Sequence, residues 1–379
     1  MEMTSKNQTE TFGIYVHAPW CRYRCPYCAF NVYTSSNPQV DTWEANVLRD
    51  WKQQAKFFNG NASSLYVGGG TPSRIPTTTF RSMMPHFSLD ADAEIGIELN
   101  PDDADLNTMT ELIDIGFNRF SLGIQSLQNE ALKFLGRQHN VSRLIRLIHD
   151  VKQLPLRSWS MDLIFGLPSH IQYDIQEDLN AIEHYRPPHV SLYGLTVEPN
   201  THFERQVQKG HWTPLDSDQC GALYVRIIEF LSDLGYEHYE VSNFALPNHR
   251  SYHNEAIWKG GKYAGLGPGA HGFLPNLNRT VQHADWHKWT KEGIELIEHN
   301  SPYQQAIDFI ITRLRHCDGF HLNELSSLGY DILPSTLDPL INARLIHLDN
   351  HQISLGPTGW PVADALSSSL IDRLRPLES

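Results

Sequence analysis

Three thiols crowd into eight residues, at Cys21, Cys25 and Cys28. The stretch reads His17-Ala-Pro-Trp-Cys21-Arg-Tyr-Arg-Cys25-Pro-Tyr-Cys28, a C-x3-C-x2-C spacing, and it directly follows a β-rich run, Gly13–His17. Three thiolates on one tight loop can hold three irons of a four-iron cube, which leaves the fourth iron for a small molecule. An open metal position is what a catalytic centre needs and a purely structural site avoids. A zinc knot satisfies the same spacing, with His17 completing a Cys3His tetrahedron. Five cysteines in all, an odd number, make a poor disulfide framework and point to a reducing compartment. Cys220 and Cys317 read as buried small apolar residues.

The elements that must position this loop alternate along the first two thirds of the chain. Candidate strands are Gly13–His17, Leu65–Gly68, Ile95–Leu99, Arg119–Gly123, Ser160–Phe165 and His189–Gly194. Amphipathic stretches lie between them, at Asp41–Phe58, Asp105–Ile115, Val141–Gln153 and Asp174–His184. This alternation predicts an α/β fold with a parallel sheet of βα units. Six units are too few for a closed eight-fold barrel, so a partial (β/α)6 TIM-like barrel is expected. Polar residues cluster after the strands, at Gly69 to Thr71, Asn100, Gln125 and Gly166. Parallel barrels build their sites on that edge.

Beyond the barrel, a helix at Asp216–Leu234 leads into one extended segment, Tyr236–Phe244, and then a Gly-rich loop, Gly260 to Gly272. After about residue 300 the pattern turns helical. A turn or β-wing at Leu355–Gly359 precedes a last helix, Pro361–Leu374. Three regions follow: a barrel at 1–235, an extension with a His/Gly-rich segment at 236–300, and a C-terminal α+β domain at 301–379. The last boundary falls near Ser301–Pro302.

Composition narrows the function. The 379 residues are 40% hydrophobic and 11% aromatic, enough for a sizeable core. The net charge of -13 repels phosphate backbones, so no nucleic-acid partner is expected. No apolar run reaches the roughly 20 residues that span a bilayer. Met1 to Thr11 is polar and lacks a signal-peptide core. A cytoplasmic protein without an integral membrane segment is expected.

The cysteine loop, with Tyr27 before the last cysteine, resembles the radical S-adenosylmethionine signature. The likeness continues through Tyr-Val-Gly68-Gly69-Gly70-Thr71-Pro72, Glu98-Leu-Asn100-Pro101, Gly116 to Gln125-Ser, Gly136-Arg137-Gln-His139 and Asp162-Leu-Ile-Phe-Gly166-Leu-Pro168. Together these motifs resemble the oxygen-independent coproporphyrinogen III oxidase family from about residue 12 to the C-terminus. The resemblance implies a 4Fe–4S cluster on Cys21, Cys25 and Cys28. It puts Tyr15, Tyr27, Gly69, Gly70, Thr71, Glu98, Gln125, Arg137 and Asp162 at cofactor-binding positions. In the family the reduced cluster cleaves S-adenosylmethionine to a 5'-deoxyadenosyl radical, while the protein orients the cofactor and excludes oxygen and water.

Two departures separate this chain from the oxidases. They carry a fourth cysteine two positions beyond the third, where Ala29-Phe30 stands here, and 20 residues precede Cys21 where they have a longer extension. Both match the family's haem chaperone branch, which binds haem and delivers it to haemoproteins. That branch has a haem-associated H-N-x-x-Y-W pattern, met here by His253-Asn254-Glu-Ala-Ile257-Trp258 with Ile257 for the tyrosine. The resemblance thus implies haem as cargo, with His253 as an iron ligand and Trp258 as a flat apolar face. His271 is a weaker ligand candidate, and Gly265, Gly267 and Gly269 allow tight backbone packing near the pocket. The alternative reading of the pattern is that His253 and Asn254 cap the following helix while Trp258 is core. The implied partners are haemoprotein acceptors and an electron donor for the cluster, and a homodimer is compatible. The C-terminal region looks like a winged-helix-type domain. The leading expectation is haem delivery; the alternative is oxidative decarboxylation of coproporphyrinogen III.

Overall fold

The computed structural model describes residues 11–377. The polar segment Met1 to Thr11 lies, apart from Thr11, outside them. All six expected strands form, as β1 (Phe12–Ala18), β2 (Ala62–Gly69), β3 (Leu89–Leu99), β4 (Arg119–Gln125), β5 (Ser158–Phe165) and β6 (His189–Gly194). They pair in chain order and all in parallel. Helices shield the outer face, so residues such as Val16, Val67, Ile97 and Leu122 are fully buried.

Several of the helices begin at a capping side chain. Asp105 accepts from Thr108 N at the start of α3 (Leu106–Ile115), which follows α1 (Val40–Gln54) and α2 (Thr77–Met83). After α4 (Asn129–Phe134), Asn140 caps α5 (Val141–Lys152) and Asp174 caps α6 (Ile175–Tyr185). Beyond α7 (His202–Gln208), Asp216 and Gln219 form a reciprocal capping box on α8 (Ser217–Asp233). The short helices α2, α4 and α7 were not expected, and α9 (Tyr252–Trp258) stood only as an alternative reading. Six or seven residues give fewer than two turns of periodicity to read.

Two expectations about the middle of the chain are corrected. Tyr236–Phe244 is a hairpin, with β7 (Glu237–Glu240) antiparallel to β8 (Asn243–Ala245) and β8 antiparallel to β6. Gly260 to Gly272 is not one loop. It contains β9 (Lys262–Leu266), which pairs in parallel with β1 from Phe12↔Lys262 to Val16↔Leu266, and β10 (His271–Phe273). A Cβ on Gly265 would sit 1.9 Å from the His271 carbonyl oxygen, so this glycine serves strand packing, although its type reads as loop. With β11 (Asn278–Gln282) and β12 (Ile294–His299), the sheet runs β12-β11-β10-β9-β1-β2-β3-β4-β5-β6-β8-β7. Residues from 237 to 299 thus add strands to both edges of the barrel sheet.

The C-terminal part starts at Ser301, which caps the helix Pro302–Leu314. It carries a small antiparallel sheet of Phe320–His321, Gln352–Leu355 and Ile346–Asp349, as a winged domain would. Its last helix, Ala363–Ile371, is shorter than expected. Backbone bonds Val241 N to Arg315 O (3.0 Å) and Cys317 N to Tyr239 O (2.9 Å) tie it to the barrel. No helix among the described residues is long and apolar enough to cross a membrane.

Candidate functional site

The cysteine loop sits over the C-terminal ends of the parallel strands, and each of its spacer residues is tied down. Arg22 pairs with Asp103, and Tyr23 donates to Asp102 Oδ2 at 3.0 Å. Arg24 donates back to the carbonyls of Cys28 (3.3 Å) and Phe30 (3.0 Å). Tyr27 packs on Phe203, whose backbone N–H donates to Pro26 O at 3.0 Å. Phe203 in turn stacks on Phe134, with Trp212 edge-on to both. A satellite apolar cluster on α4 and α7 therefore grips the loop from outside.

The Gly68–Thr71 turn is held by close contacts on both sides. Gly69 has φ 111°, and its Cβ would fall 2.4 Å from the His17 ring. A Cβ on Gly68 would fall 2.8 Å from Glu98. Gly70 N donates to Ala18 O (2.7 Å) and Thr71 N to Trp20 O (2.8 Å). These glycines let the turn dock on the start of the cysteine loop and on Glu98.

Cys21, Cys25, Cys28, Tyr27, Gly69, Gly70, Thr71, Glu98, Gln125, Arg137 and Asp162 line one cavity of about 590 Å³. Tyr15 does not line it. Its hydroxyl hydrogen-bonds His17 Nδ1 at 3.1 Å, and burial beside Glu98 pushes its pKa far up. Gln125 holds a left-handed backbone at φ 68°, rare for a residue with a Cβ and typical of functional sites.

The cavity separates charge. Arg137 lies by the cysteines, with Nη2 donating to Asn100 Oδ1 (3.0 Å) and Gly123 O (3.1 Å) and Nη1 3.6 Å from Cys25 Sγ. Its buried Nε has no partner. The floor carries two carboxyl groups. Glu98 accepts from Gly69 N at 3.0 Å, and burial, helped by Asp162, pushes its pKa up to about 7. Asp162 accepts from Ser121 Oγ (2.6 Å) and Ser160 Oγ (2.7 Å), and burial raises it too. Among the described residues neither makes an ion pair. Such a site fits a ligand with an anionic group near the thiols and hydroxyl or cationic groups below.

The donor set suits a cluster better than zinc. A tetrahedral zinc needs its sulfurs about 3.8 Å apart, given Zn–S bonds of about 2.3 Å. The three loop sulfurs do not all lie within 4.8 Å of one another. A cube binds each sulfur to a different iron and spreads them wider. His17 also spends both ring nitrogens, on the Tyr15 hydroxyl and on Asn31 O at 2.9 Å. In the cluster-free chain, burial pushes the Cys21 thiol up to about 11, and Thr71 Oγ1, 3.5 Å from its sulfur, pulls the other way.

The expected haem residues lie elsewhere. His253 is on α9, near the starts of β1 and β2, at the barrel end opposite the cysteine loop. Its Nδ1 hydrogen-bonds Ser64 Oγ at 2.8 Å and its ring stacks on Tyr66. Glu94, ion-paired to buried Arg119 at 2.8 Å, accepts from the Tyr252 and His253 N–H groups and fixes that helix end. Ser251, not His253, is the cap. Trp258 lies at the seam with the C-terminal part, where it hydrogen-bonds Glu240 and underlies Arg315. Neither lines the cavity. Gly267 and Gly269 instead let the chain pass close to His17 O and Asn31, behind the cysteine loop. Tyr193 and Ser121, which line the cavity, were not singled out from the sequence. The alternation along their strands was the available signal.

Residues 15–182 match the family model described as the Radical SAM superfamily. The chain is 34% identical over 276 residues to the zebrafish (Danio rerio) mitochondrial radical S-adenosyl methionine domain-containing protein 1, over 71% of this chain and 62% of that protein. It is 34% identical to the heme chaperone HemW of Escherichia coli over 69% of each chain. HemW of Synechocystis is 30% identical over 83% of this chain and 80% of its own. Among solved structures, E. coli coproporphyrinogen III oxidase (HemN) superposes with a TM-score of 0.79 over 95% of this chain and 89% of that one, at 19% identity. That likeness is one of fold.

Proposed function

The chain belongs to the radical S-adenosylmethionine superfamily, in the group of the HemW haem chaperones, and from that premise we propose that it carries a 4Fe–4S cluster and S-adenosylmethionine and delivers haem to haemoproteins. The observation that carries this reading is the 34% identity to HemW over 69% of both chains. Phe30, where the oxidases keep a cysteine, supports delivery over decarboxylation.

Cys21, Cys25 and Cys28 would hold the cluster within the region 1–235. When bound and reduced, a 4Fe–4S cluster supplies one electron to the cofactor's sulfonium. The chain's residues bind and orient. Arg137, with a free buried Nε, takes the cofactor's carboxylate. Glu98 and Asp162 accept from its ribose hydroxyls or ammonium. Gln125 and Thr71 close the sides, and the cysteine loop with its aromatic backing keeps bulk water out. The extension at 236–300 buttresses the loop, and the part at 301–379 serves packing or partner docking. The partners are haem acceptors and a one-electron donor; a homodimer is compatible. Reduced thiols suit the cytoplasm.

Anaerobic reconstitution tests the cluster. About four irons and four sulfides per chain are expected, and replacing any one of the three cysteines by Ala should abolish them. Stoichiometric zinc without sulfide would overturn the assignment. On the same sample, one haem per chain should titrate and coproporphyrinogen III should stay unchanged. Multiple-turnover formation of protoporphyrinogen IX would replace delivery with the oxidase reading.

A further inference from the structure

We infer that the haem plate rests on Phe30 at the mouth of the cysteine-lined cavity, with Arg24 facing a propionate, and that no histidine ligates its iron. The inference deepens the haem reading and rests on it. It starts from where the imidazole of the H-N pattern actually lies. His253 is 3% exposed. Its ring stacks on Tyr66 with centroids 5.4 Å apart and planes 16° apart, and Ser64 holds its Nδ1. A Cβ on Gly13 would already touch the ring at 3.2 Å. Haem is a plate of tens of atoms. Bringing its iron to this nitrogen would require dismantling the barrel end that Glu94 and Arg119 close.

Phe30 has the opposite character. It is 61% exposed, among the most exposed large apolar side chains described, yet it lines the cavity. Its backbone carbonyl is held by Arg24 at 3.0 Å, so the ring stands on a fixed base. Val32 and Leu195 extend the apolar wall, and Tyr193, 46% exposed, also lines the cavity. An aromatic ring left bare on a rigid base is a stacking surface for a flat ligand. The cavity of about 590 Å³ below Phe30 is the space of the cluster and S-adenosylmethionine, so the plate lies at its mouth and not inside it.

Charge selects the ligand. The chain carries a net charge of -13 and would repel a dianionic porphyrin from most of its surface. Arg22 at the same rim is held by Asp103. Arg24 donates to two backbone carbonyls, and among the described residues no carboxylate pairs with it. It is thus the cation that can meet a propionate at the mouth. The cavity lining contains no histidine. Haem held by stacking and one ion pair keeps an open axial position, so an acceptor can take it without breaking an iron–imidazole bond.

The test uses the full chain, anaerobically reconstituted, titrated with haem and with metal-free protoporphyrin IX. Both should bind within a few-fold of each other. Phe30→Ala should weaken both about 10-fold, Phe30→Trp should restore them, and Arg24→Gln should cost about 3–10-fold. Added imidazole should shift the haem absorption band of the wild type. Iron and sulfide content of each variant reports whether the loop is intact. If the wild type binds haem but Phe30→Ala and Arg24→Gln bind it equally well, the inference fails and the delivery reading stands. Failure of protoporphyrin IX to bind, or a band that imidazole does not move, also overturns it. So does a Phe30→Ala variant that loses S-adenosylmethionine affinity and keeps haem. A wild type that binds no haem removes the delivery reading itself.

Discussion

Arg137 is one of three arginines that line the cavity, and its unpartnered buried Nε makes it the one most open to test. Arg137→Ala should weaken S-adenosylmethionine binding by roughly 1.5–3 kcal/mol, the worth of a charge-assisted bond, while the cluster remains. Calorimetry on the reconstituted variant checks this, and an unchanged affinity would take Arg137 out of the site. At this scale the sequence was legible where spacing alone carries the chemistry. Cys21, Cys25 and Cys28 share one loop, so their convergence follows from local geometry. The burial of His253 was not legible, because residue type does not reveal it. A histidine with an asparagine after it looks like a ligand motif, yet this one satisfies Ser64 and covers Tyr66. Asp102 and Asp103 were passed over for the same kind of reason. Their partners, Arg22 and Tyr23, lie some 80 residues away in the chain.

Among the elements, the glycine-bearing strands and turns set the tolerances. Gly265→Ala would place a methyl 1.9 Å from backbone oxygen, where neither β9 nor β10 can give way. It should cost more than about 3 kcal/mol in urea unfolding. Gly69→Ala adds a left-handed φ and a clash with the movable His17 ring, so a smaller loss is expected, together with a poorer cluster site. Gly60→Ala, at φ 88° but with open space around it, should cost only about 1 kcal/mol. Equal losses in all three would refute packing as the reason for Gly265. The long helices were legible because their caps and periodicity agree, as at Asp105, Asn140, Asp174 and Asp216. Strand β9 was not, since glycines that permit strand packing and glycines that make loops are the same letter.

In the whole molecule, barrel and C-terminal part meet at a buried carboxyl. Glu240 is 1% exposed; its backbone forms an antiparallel bridge with His316, and its carboxyl has Trp258, Asn243 and Ser242 as donors and Arg315 nearby. Burial outweighs them and pushes its pKa up to about 7. A carboxyl raised in the folded state holds its proton longer there than in the unfolded chain. Its ionisation therefore removes stability as pH rises from the ordinary glutamate range through about 7. Glu240→Gln cannot ionise, so its stability relative to wild type should improve by about 2–3 kcal/mol from pH 5 to pH 8. Paired urea unfolding curves at the two values would show it, and a difference that does not change with pH would place the ionised carboxylate in a better-solvated seam. The partial barrel and the winged C-terminal part were both readable from element order. This contact was not, because it joins Glu240 to a residue on a different unit.

The pairing of β1 with β9 also has a consequence in time. Phe12 meets Lys262 about 250 residues later in synthesis. At about 5–20 residues per second, the first strand waits roughly 12–50 s on the ribosome with one edge unpaired. Asn31 and Tyr33, just past the third cysteine of the loop, make their bonds to the carbonyls of Pro268 and Ala284, which emerge later still. The thiols are thus made well before these two supports of their loop. Until those residues emerge, the loop that carries three neighbouring thiols lacks part of its native support.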